Sequence, residues 1–382
     1  MPDFIATAAF GLEAVVDREL ERLGYADRFV EDGRVTFSAD HAAIARANLW
    51  LRSADRVLVE IGQFPASEFG ALFDGVVALP WEQWLDRNAA IPVEVSAVRS
   101  PIVSPRSAQS IVKKAIVTRL GEAYSMRTLP ETGARYLIDV SIRGTDVSVA
   151  IDTSGAGLHK RGYRTERAAA PLKETLAAGL LQLTFWKRDR PLADPLCGSG
   201  TIPIEAALIA GNIAPGSRRS FAAEQWPMLD SRIWRVAREE ARDLVDATAS
   251  EIIWGSDRDS RIIAKARKHA NNAGVFDRIH FQAGEFREFR STKEFGCLVS
   301  NPPYGERLGN PAEIEQLYRE VPEIFARHPS WSFYILTSHP QFAELAGRRP
   351  DRRRKLYNGK IPCTYFQFHG RRPPKRTAPK QA

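Results

Sequence analysis

One stretch decides the fold of this chain: Leu192-Ala193-Asp194-Pro195-Leu196-Cys197-Gly198-Ser199-Gly200-Thr201, which reads as a short buried strand, a glycine turn and the start of a helix. Strands and helices alternate beyond it, and this alternation is typical of a mostly parallel sheet covered by helices on both faces. In such sheets, ligands bind at the carboxyl ends of the strands, near the point where the strand order reverses. The stretch therefore predicts a Rossmann-like α/β domain with a binding site at its glycine turn.

The other elements of this half follow from apolar runs and turn signals. The runs predict strands at 252–255, 279–282, 297–300 and 331–336, with a helix over 260–272. Residues 355–360 and 363–368 form a predicted antiparallel hairpin, because Asn358-Gly359 is a strong two-residue turn signal. We therefore expect an α/β domain whose parallel sheet ends in a C-terminal hairpin.

The N-terminal half has a different pattern. Alternating runs predict strands at 92–98, 137–142 and 147–151, and a helix at 110–120 that carries Lys113 and Lys114 on its solvent side. A glycine-rich stretch at 155–164 marks a boundary to the second half. These features divide the chain into four expected parts, at 1–45, 46–155, 156–370 and 371–382.

The glycine turn does not match the common phosphate loops. It contains no GxxxxGK[ST], and Pro203 stands where GxGxxG needs its third glycine. The carboxylate of Asp194 would repel a pyrophosphate but suits a ligand with an ammonium or sulfonium group. S-adenosyl-L-methionine (SAM) carries both, with a carboxylate for the helix N-terminus. A plain tight turn is the alternative.

Two further acids follow the next strands. Asp257 ends the second strand, where a carboxylate typically binds ribose hydroxyls. Asp259 is the alternative, although it could instead cap the next helix. Glu285, after the third strand, is expected to accept a hydrogen bond from the adenine amino group.

The fourth strand is followed by Asn301-Pro302-Pro303-Tyr304. The prolines fix the backbone and remove two donors, so the turn keeps free carbonyls. The side-chain carbonyl of Asn301 and the backbone carbonyl of Pro302 can accept hydrogen bonds from an exocyclic NH₂, while Tyr304 offers a ring for stacking. Such acceptors raise the electron density of a base nitrogen, and orientation then supplies most of the catalysis. The turn predicts methylation of a base amino group.

Composition limits the other possibilities. The chain has 44% hydrophobic residues and a net charge of +8, and residues 346–382 alone carry twelve Lys/Arg against one acid, Asp351. A basic end favours contact with RNA or DNA, and a solvated tail is the alternative. Three separated cysteines argue against a disulfide framework or a zinc site, and no long apolar run suggests a membrane span. We expect a cytoplasmic protein without a metal.

The motifs together resemble the THUMP-domain RNA methyltransferases. They are DPLCGSGT from Asp194, NPPYGERL from Asn301, KRGYR from Lys160, PLKETLAA from Pro171 and KLYNGKI from Lys355. Within that family the chain is similar to the RlmL-like branch, which makes N2-methylguanosine in large-subunit ribosomal RNA. The resemblance extends over essentially the whole chain.

The resemblance implies a ferredoxin-like part at 1–45, a THUMP RNA-binding domain at 46–155, a Rossmann-like methyltransferase domain at 156–370 and a basic disordered tail at 371–382. It also implies SAM as cofactor and 23S rRNA, or a pre-ribosomal particle, as partner. The expected site residues are catalytic Asn301, Pro302 and Tyr304; cofactor-binding Asp194, Cys197, Gly198, Gly200, Thr201, Asp257 and Glu285; and substrate-binding Pro303, Lys113, Lys114 and Arg161. Family members often carry Asp where this chain has Glu285.

Two alternatives remain open at this point. One is an adenine-N6 methylase that acts on DNA or RNA, because Asn-Pro-Pro-Tyr also occurs in amino-methylating DNA enzymes. The other is a non-catalytic RNA-binding assembly factor that keeps the fold. The absence of a helix-turn-helix signal in residues 1–155 argues against DNA, and the intact motifs argue against lost catalysis.

Overall fold

A computed structural model describes residues 1–164, 172–248, 252–303, 311–372 and 374. The chain divides into two compact units. The first contains Met1–Ala8, Val16–Leu158 and Ala214–Asp243, and the second contains Ala9–Val15, His159–Ile213 and Leu244–Ala382.

The helices of the described residues are α1 (Glu13–Arg22), α2 (Ala42–Trp50), α3 (Phe69–Val77), α4 (Pro105–Ala123), α5 (Glu174–Gln182), α6 (Thr201–Ala210), α7 (Arg232–Asp243), α8 (Ser260–Ala273), α9 (Pro311–Arg319), α10 (Val321–Arg327) and α11 (Phe342–Leu345). In this part of the chain, no helix combines the length and the apolar character that crossing a bilayer requires.

The first unit is built on a seven-stranded sheet. Its strands are β1 (Asp3–Ala8), β2 (Arg28–Glu31), β3 (Arg34–Ser38), β4 (Ala54–Pro65), β5 (Val93–Val98), β6 (Leu137–Arg143) and β7 (Asp146–Asp152). They lie in the order β2-β3-β1-β4-β7-β6-β5, and only β5 and β6 pair in parallel. The long strand β4 pairs with β1 on one side and β7 on the other, so one sheet runs through both expected N-terminal parts.

Helix α7 differs from its expected place. It lies within the expected domain 156–370, but the structure groups Ala214–Asp243 with the first unit. The physical reason is its apolar face, on which Trp234, Ala237 and Ala241 are buried in the hydrophobic core of that unit. An ion pair between Arg46 of α2 and Glu240 of α7, at 2.8 Å, adds to this packing.

The second unit contains the predicted Rossmann-like sheet. Its strands are β8 (Leu192–Asp194), β9 (Ile253–Asp257), β10 (Ile279–Ala283), β11 (Cys297–Ser300), β12 (Ser332–Thr337), β13 (Arg352–Asn358) and β14 (Ile361–Phe368). The order is β10-β9-β8-β11-β12-β14-β13, with the first five strands parallel and the β13–β14 hairpin antiparallel. The predicted fold class is confirmed.

Strand β8 is the middle one of the five parallel strands and the place where the chain changes direction. From β8 the chain adds β9 and β10 on one side, and then returns to add β11 and β12 on the other. Every residue of β8, β11 and β12 is buried, as expected for strands covered on both faces. The carboxyl ends of β8 and β11 therefore lie side by side at the switch point, where ligands bind in such sheets.

Candidate active site

Asp194 ends the central strand β8 and is almost fully buried, with 2% of its surface exposed. Its Oδ1 atom accepts hydrogen bonds from the Ser300 hydroxyl at 2.7 Å and from the Leu196 amide at 3.2 Å. Burial raises the pKa of Asp194 to about 7, and the Ser300 hydrogen bond opposes that rise. A buried carboxylate without a cation has its charge only partly compensated, which suits a cationic ligand group.

The glycine turn after Asp194 depends on two left-handed residues. Gly198 has a φ of +53° and Gly200 a φ of +86°. A Cβ at Gly200 would also lie 3.0 Å from the Cβ of Ala266 and 3.2 Å from the Phe281 ring, whereas a Cβ at Gly198 would meet nothing within 4 Å. Gly200 is therefore required for close packing beneath the turn, and Gly198 lies on its open side.

Cys197 takes part in the turn through its backbone. Its amide donates to the Ser256 carbonyl at 2.9 Å, and its carbonyl accepts from Gly200 at 2.9 Å. Burial raises the pKa of the Cys197 thiol well above its ordinary value, so the side chain stays protonated. The residue fixes the turn against β9, and its expected contact with the cofactor stays a prediction.

Asp257 joins the glycine turn from the end of β9. Its Oδ2 atom accepts from the Gly198 amide at 3.2 Å, and its Oδ1 atom from the Asp259 amide at 3.0 Å. Asp259 instead caps α8, because its carboxylate accepts from the Arg261 amide at 2.8 Å. The structure thus separates the two acids: Asp259 has the capping role, and Asp257 lies beside the turn, where its ribose contact stays a prediction.

Glu285 lies exposed just after β10. Its amide donates to Glu288 at 3.3 Å at the start of a single 3₁₀ turn, Phe286–Glu288. The adenine contact of Glu285 stays a prediction.

Asn301 follows β11 directly, beside the end of β8. Its Oδ1 atom is buried and accepts no hydrogen bond from the described residues. Pro302 is buried, and the Pro303 carbonyl accepts from the Tyr318 hydroxyl at 3.4 Å. An unpaired buried carbonyl is costly unless a ligand donates to it. Tyr304 lies outside the described residues, so its stacking role stays a prediction.

Arg161 was expected to bind substrate, but the structure places its side chain beside a buried acid. Its guanidinium lies 3.4 Å from the carboxylate of Glu205 on α6, and the two side chains are 2% and 0% exposed. The hydroxyl of Tyr163, from the same KRGYR motif, donates to Glu205 at 3.2 Å. A charge so buried and paired is poorly placed for a phosphate, which argues against the expected substrate contact and favours a role of Arg161 in supporting α6.

The two lysines of α4 lie in the first unit and differ from each other. The Lys113 ammonium donates to Glu131 at 2.5 Å and to the Ile91 carbonyl at 2.8 Å, so its charge is paired. Lys114 is exposed and lies 5.8 Å from the centroid of the Phe73 ring. Lys114 is thus the more accessible of the two for a phosphate contact, which stays a prediction for both.

Two residues of the site were missed from the sequence. The sequence predicted Ser300 only as the last residue of a strand, although a hydroxyl at the end of a buried strand needs a hydrogen-bond partner. Arg164 was quoted only within its motif, but its guanidinium donates to Thr201 Oγ1 at 2.6 Å, at the first residue of α6. Thr201 is therefore fixed by Arg164 at the place where the helix N-terminus offers its amides.

These residues fit SAM. Asp194 presents a buried carboxylate for the amino group, the N-terminus of α6 suits the carboxylate, and the open side of Gly198 leaves room for close approach. Asp257 lies where hydroxyl donors would reach it. Among the described residues, no three His, Cys, Asp or Glu side chains group closely enough to hold a metal ion.

Comparisons with known proteins identify the family of the chain. Residues 161–367 match the RMKL-like methyltransferase domain, residues 3–58 the RlmL ferredoxin-like domain and residues 66–152 the THUMP domain. The chain is 44% identical to YpsC of Bacillus subtilis, over 99% of this chain and 98% of that protein. It is 35% identical to ribosomal RNA large subunit methyltransferase K/L of Shewanella pealeana, over 96% of this chain but 52% of that protein. The chain thus spans about half the length of that relative.

Solved structures are also similar. A protein from Listeria monocytogenes, described as a predicted N6-adenine-specific DNA methylase, is 48% identical with a TM-score of 0.93, covering 97% of this chain and 96% of that one. SMU.472, solved in complex with S-adenosylhomocysteine (SAH), is 44% identical with a TM-score of 0.92, covering 98% and 99%. The predicted family and the predicted cofactor are confirmed. Since the RMKL-like domain alone matches more than half of the chain, the protein belongs to that family and is a SAM-dependent methyltransferase with a THUMP domain.

Proposed function

We propose that the protein methylates RNA, and that its acceptor is the exocyclic N2 of a guanine in large-subunit ribosomal RNA. The observation that carries this proposal is the buried Oδ1 of Asn301, just after β11, to which no described residue donates a hydrogen bond. Asn301 directly follows Ser300, whose hydroxyl donates a hydrogen bond to Asp194, the acid expected to bind SAM. An acceptor that lacks a donor at that point favours a substrate that brings an N–H group.

Hydrogen bonds to the Asn301-Pro302 turn would increase the nucleophilicity of the base nitrogen that accepts the methyl group. A base amino group is a poor nucleophile because its lone pair is delocalised into the ring. Hydrogen bonds from its two N–H groups to Asn301 Oδ1 and the Pro302 carbonyl would hold it in place and raise its electron density. SAM, when bound, supplies a methyl group on a sulfonium. The residues therefore act by orientation and by accepting hydrogen bonds, with no base of shifted pKa required.

Several features support RNA as the substrate. The THUMP match at 66–152 lies within the first unit and includes α4, where Lys114 is exposed. The relative from Shewanella pealeana is named for large-subunit ribosomal RNA. A guanine within a duplex cannot present N2 to a methyl donor, so we expect the base to be flipped into the pocket, with Tyr304 stacked on its ring and Pro303 beside it.

The test measures single-turnover methylation of ribosomal RNA by Asn301→Ala. We expect turnover to fall by orders of magnitude with SAH affinity close to wild type, because the Asn301 acceptor acts on the reacting nitrogen. The matched control is Asn271→Ala, which removes an exposed asparagine of α8 and should leave the rate unchanged. Wild-type turnover by Asn301→Ala would refute the proposed pocket.

An adenine-N6 methylase remains the second candidate, because the similar Listeria protein carries that description and the same acceptors suit either amino group. Nucleoside mass spectrometry of the methylated product decides between them. N2-methylguanosine supports the proposal, whereas N6-methyladenosine replaces it with the alternative. Absence of any methylated nucleoside would refute ribosomal RNA as the substrate.

A further inference from the structure

We propose that Ser300 is a positioning residue, whose hydroxyl holds the Asp194 carboxylate in its anionic form and orientation for the amino group of SAM. The inference rests on the proposed contact between Asp194 and that amino group. It goes further by assigning a role to a residue that does not touch the cofactor itself.

The geometry joins two neighbouring strands. β8 and β11 pair in parallel, with Leu192 opposite Cys297 and Ala193 opposite Leu298. Beyond these pairs, the Ser300 hydroxyl at the end of β11 donates to Asp194 Oδ1 at the end of β8, at 2.7 Å; the two residues are 0% and 2% exposed. This distance is typical of a hydrogen bond to an ionised oxygen.

The surroundings of Asp194 make the Ser300 hydroxyl important for stabilising its negative charge. Among the described residues, no Lys, Arg or His forms an ion pair with Asp194, so its negative charge depends on neutral donors. The acid at the end of β9, Asp257, disfavours that charge, and the neighbouring Cys197 thiol stays protonated. The pKa of Asp194 is raised to about 7, chiefly by burial, and the hydrogen bonds from Ser300 and the Leu196 amide already offset part of that rise. Ser300 is thus the one side chain among the described residues that brings ionisation into the neutral range.

Ser300 also directly precedes the Asn301-Pro302-Pro303-Tyr304 turn, which is expected to hold the methylated amino group. Ser300 ends β11, and Asn301 follows it. Fixing the Ser300 hydroxyl on Asp194 also fixes the peptide from which Asn301 begins. The Ser300–Asp194 hydrogen bond therefore links the acid expected to bind SAM to the turn that begins at Asn301.

The test measures SAH affinity by calorimetry across pH 5.5–8.5, with the full-length protein. Because the pKa of Asp194 is raised to about 7, we expect the wild-type affinity to rise with pH and to level off above that value. Ser300→Ala removes the donor, so its rise should occur at least about one pH unit higher. At pH 6, where both proteins lie on the rising limb, this shift lowers affinity about tenfold. The amino group of SAH titrates near pH 8 and affects all variants equally.

Two controls separate this role from packing. Ser300→Thr keeps a hydroxyl and should keep the wild-type midpoint. Ser332→Ala makes the same substitution at a buried serine of β12, whose hydroxyl accepts from the Gly370 amide and not from the site; its midpoint should also be unchanged. If Ser300→Ala fails to fold, Ser300→Cys, a weaker donor, should shift the midpoint in the same direction.

The outcomes distinguish the inference from its premise. A folded Ser300→Ala protein with the wild-type midpoint overturns the inference. Asp194→Asn should weaken SAH binding and abolish the rise with pH. If Asp194→Asn binds SAH like the wild type, the assignment of Asp194 is wrong; if it loses the rise while Ser300→Ala keeps the midpoint, only the role of Ser300 is refuted.

Discussion

Removing the guanidinium of Arg161 should destabilise the protein without affecting RNA binding. Arg161 contacts Glu205 through Nε and Nη2, each at 3.4 Å, and Tyr163 donates to the same carboxylate at 3.2 Å. Since Glu205 is 0% exposed, Arg161→Ala leaves a carboxylate buried without its counter-charge. The substitution therefore tests whether the KRGYR motif supports α6 or binds substrate.

The size of the effect follows from the burial of the pair. Removing one partner of a buried ion pair costs about 3–5 kcal/mol in free energy of unfolding. For a unit of this size, each kcal/mol corresponds to about 2–4 °C, so the Tm should fall by about 6–20 °C. Replacing both partners, as in Arg161→Met with Glu205→Leu, should restore most of that loss, because no uncompensated charge remains.

The assay combines urea unfolding with a salt titration of RNA affinity. Arg319→Ala is the matched control, since this arginine pairs with Glu315 at 3.6 Å on the exposed surface of the same unit. Its loss should change the free energy of unfolding by less than about 1 kcal/mol. The slope of log affinity against log salt should be the same for Arg161→Ala and wild type, because the buried pair with Glu205 leaves Arg161 poorly placed for a phosphate. A stable Arg161→Ala protein with a reduced slope would refute this interpretation.

Three further predictions address the cofactor site and the basic end. Asp257→Ala should lower SAH affinity by about 1–3 kcal/mol, because hydroxyl donors lose a charged acceptor; calorimetry giving an unchanged affinity for the folded variant rules out the ribose contact. The raised pKa of Asp194, about 7, means that the folded protein keeps a proton that the unfolded chain loses near pH 4. Its free energy of unfolding should therefore fall as pH rises from about 4 to 7, and urea unfolding of Asp194→Asn should lack that part of the fall; equal pH dependence contradicts the assignment. Deleting residues 371–382 should flatten the salt slope of RNA binding and preserve SAH affinity, whereas an unaltered slope identifies that segment as a solvated tail.

Local signals predicted the catalytic sheet well. The strands at Leu192–Asp194 and Cys297–Ser300 have the expected bounds, because short, fully buried apolar runs end at Asp-Pro and Asn-Pro turns. The hairpin around Asn358-Gly359 is also confirmed, although its first strand begins earlier, at Arg352. In each case the deciding information lies within a few residues of the element itself.

Features that depend on distant partners could not be predicted in the same way. The basic motif around Arg161 looks solvent-exposed in sequence, and only the fold brings Glu205, 44 residues away, against it. Likewise, Ala214–Asp243 follows α6 in sequence but packs in the first unit, because its apolar face matches a core formed by much earlier residues. Periodicity shows that a face is apolar and does not show which core it joins.

The strand order explains how two motifs far apart in sequence act as one site. Asp194 and Ser300 are separated by 106 residues, yet β8 and β11 are neighbours because the chain builds one side of the sheet before returning to the other. Their hydrogen bond crosses the switch point, where no strand intervenes. A substitution in the glycine turn that displaces Asp194 must therefore also disturb Ser300 and, through it, the Asn301 acceptor. Cofactor affinity and methyl-transfer rate should accordingly change together for variants at Asp194, but separately for variants at Asn301, whose buried oxygen lies beyond the shared bond.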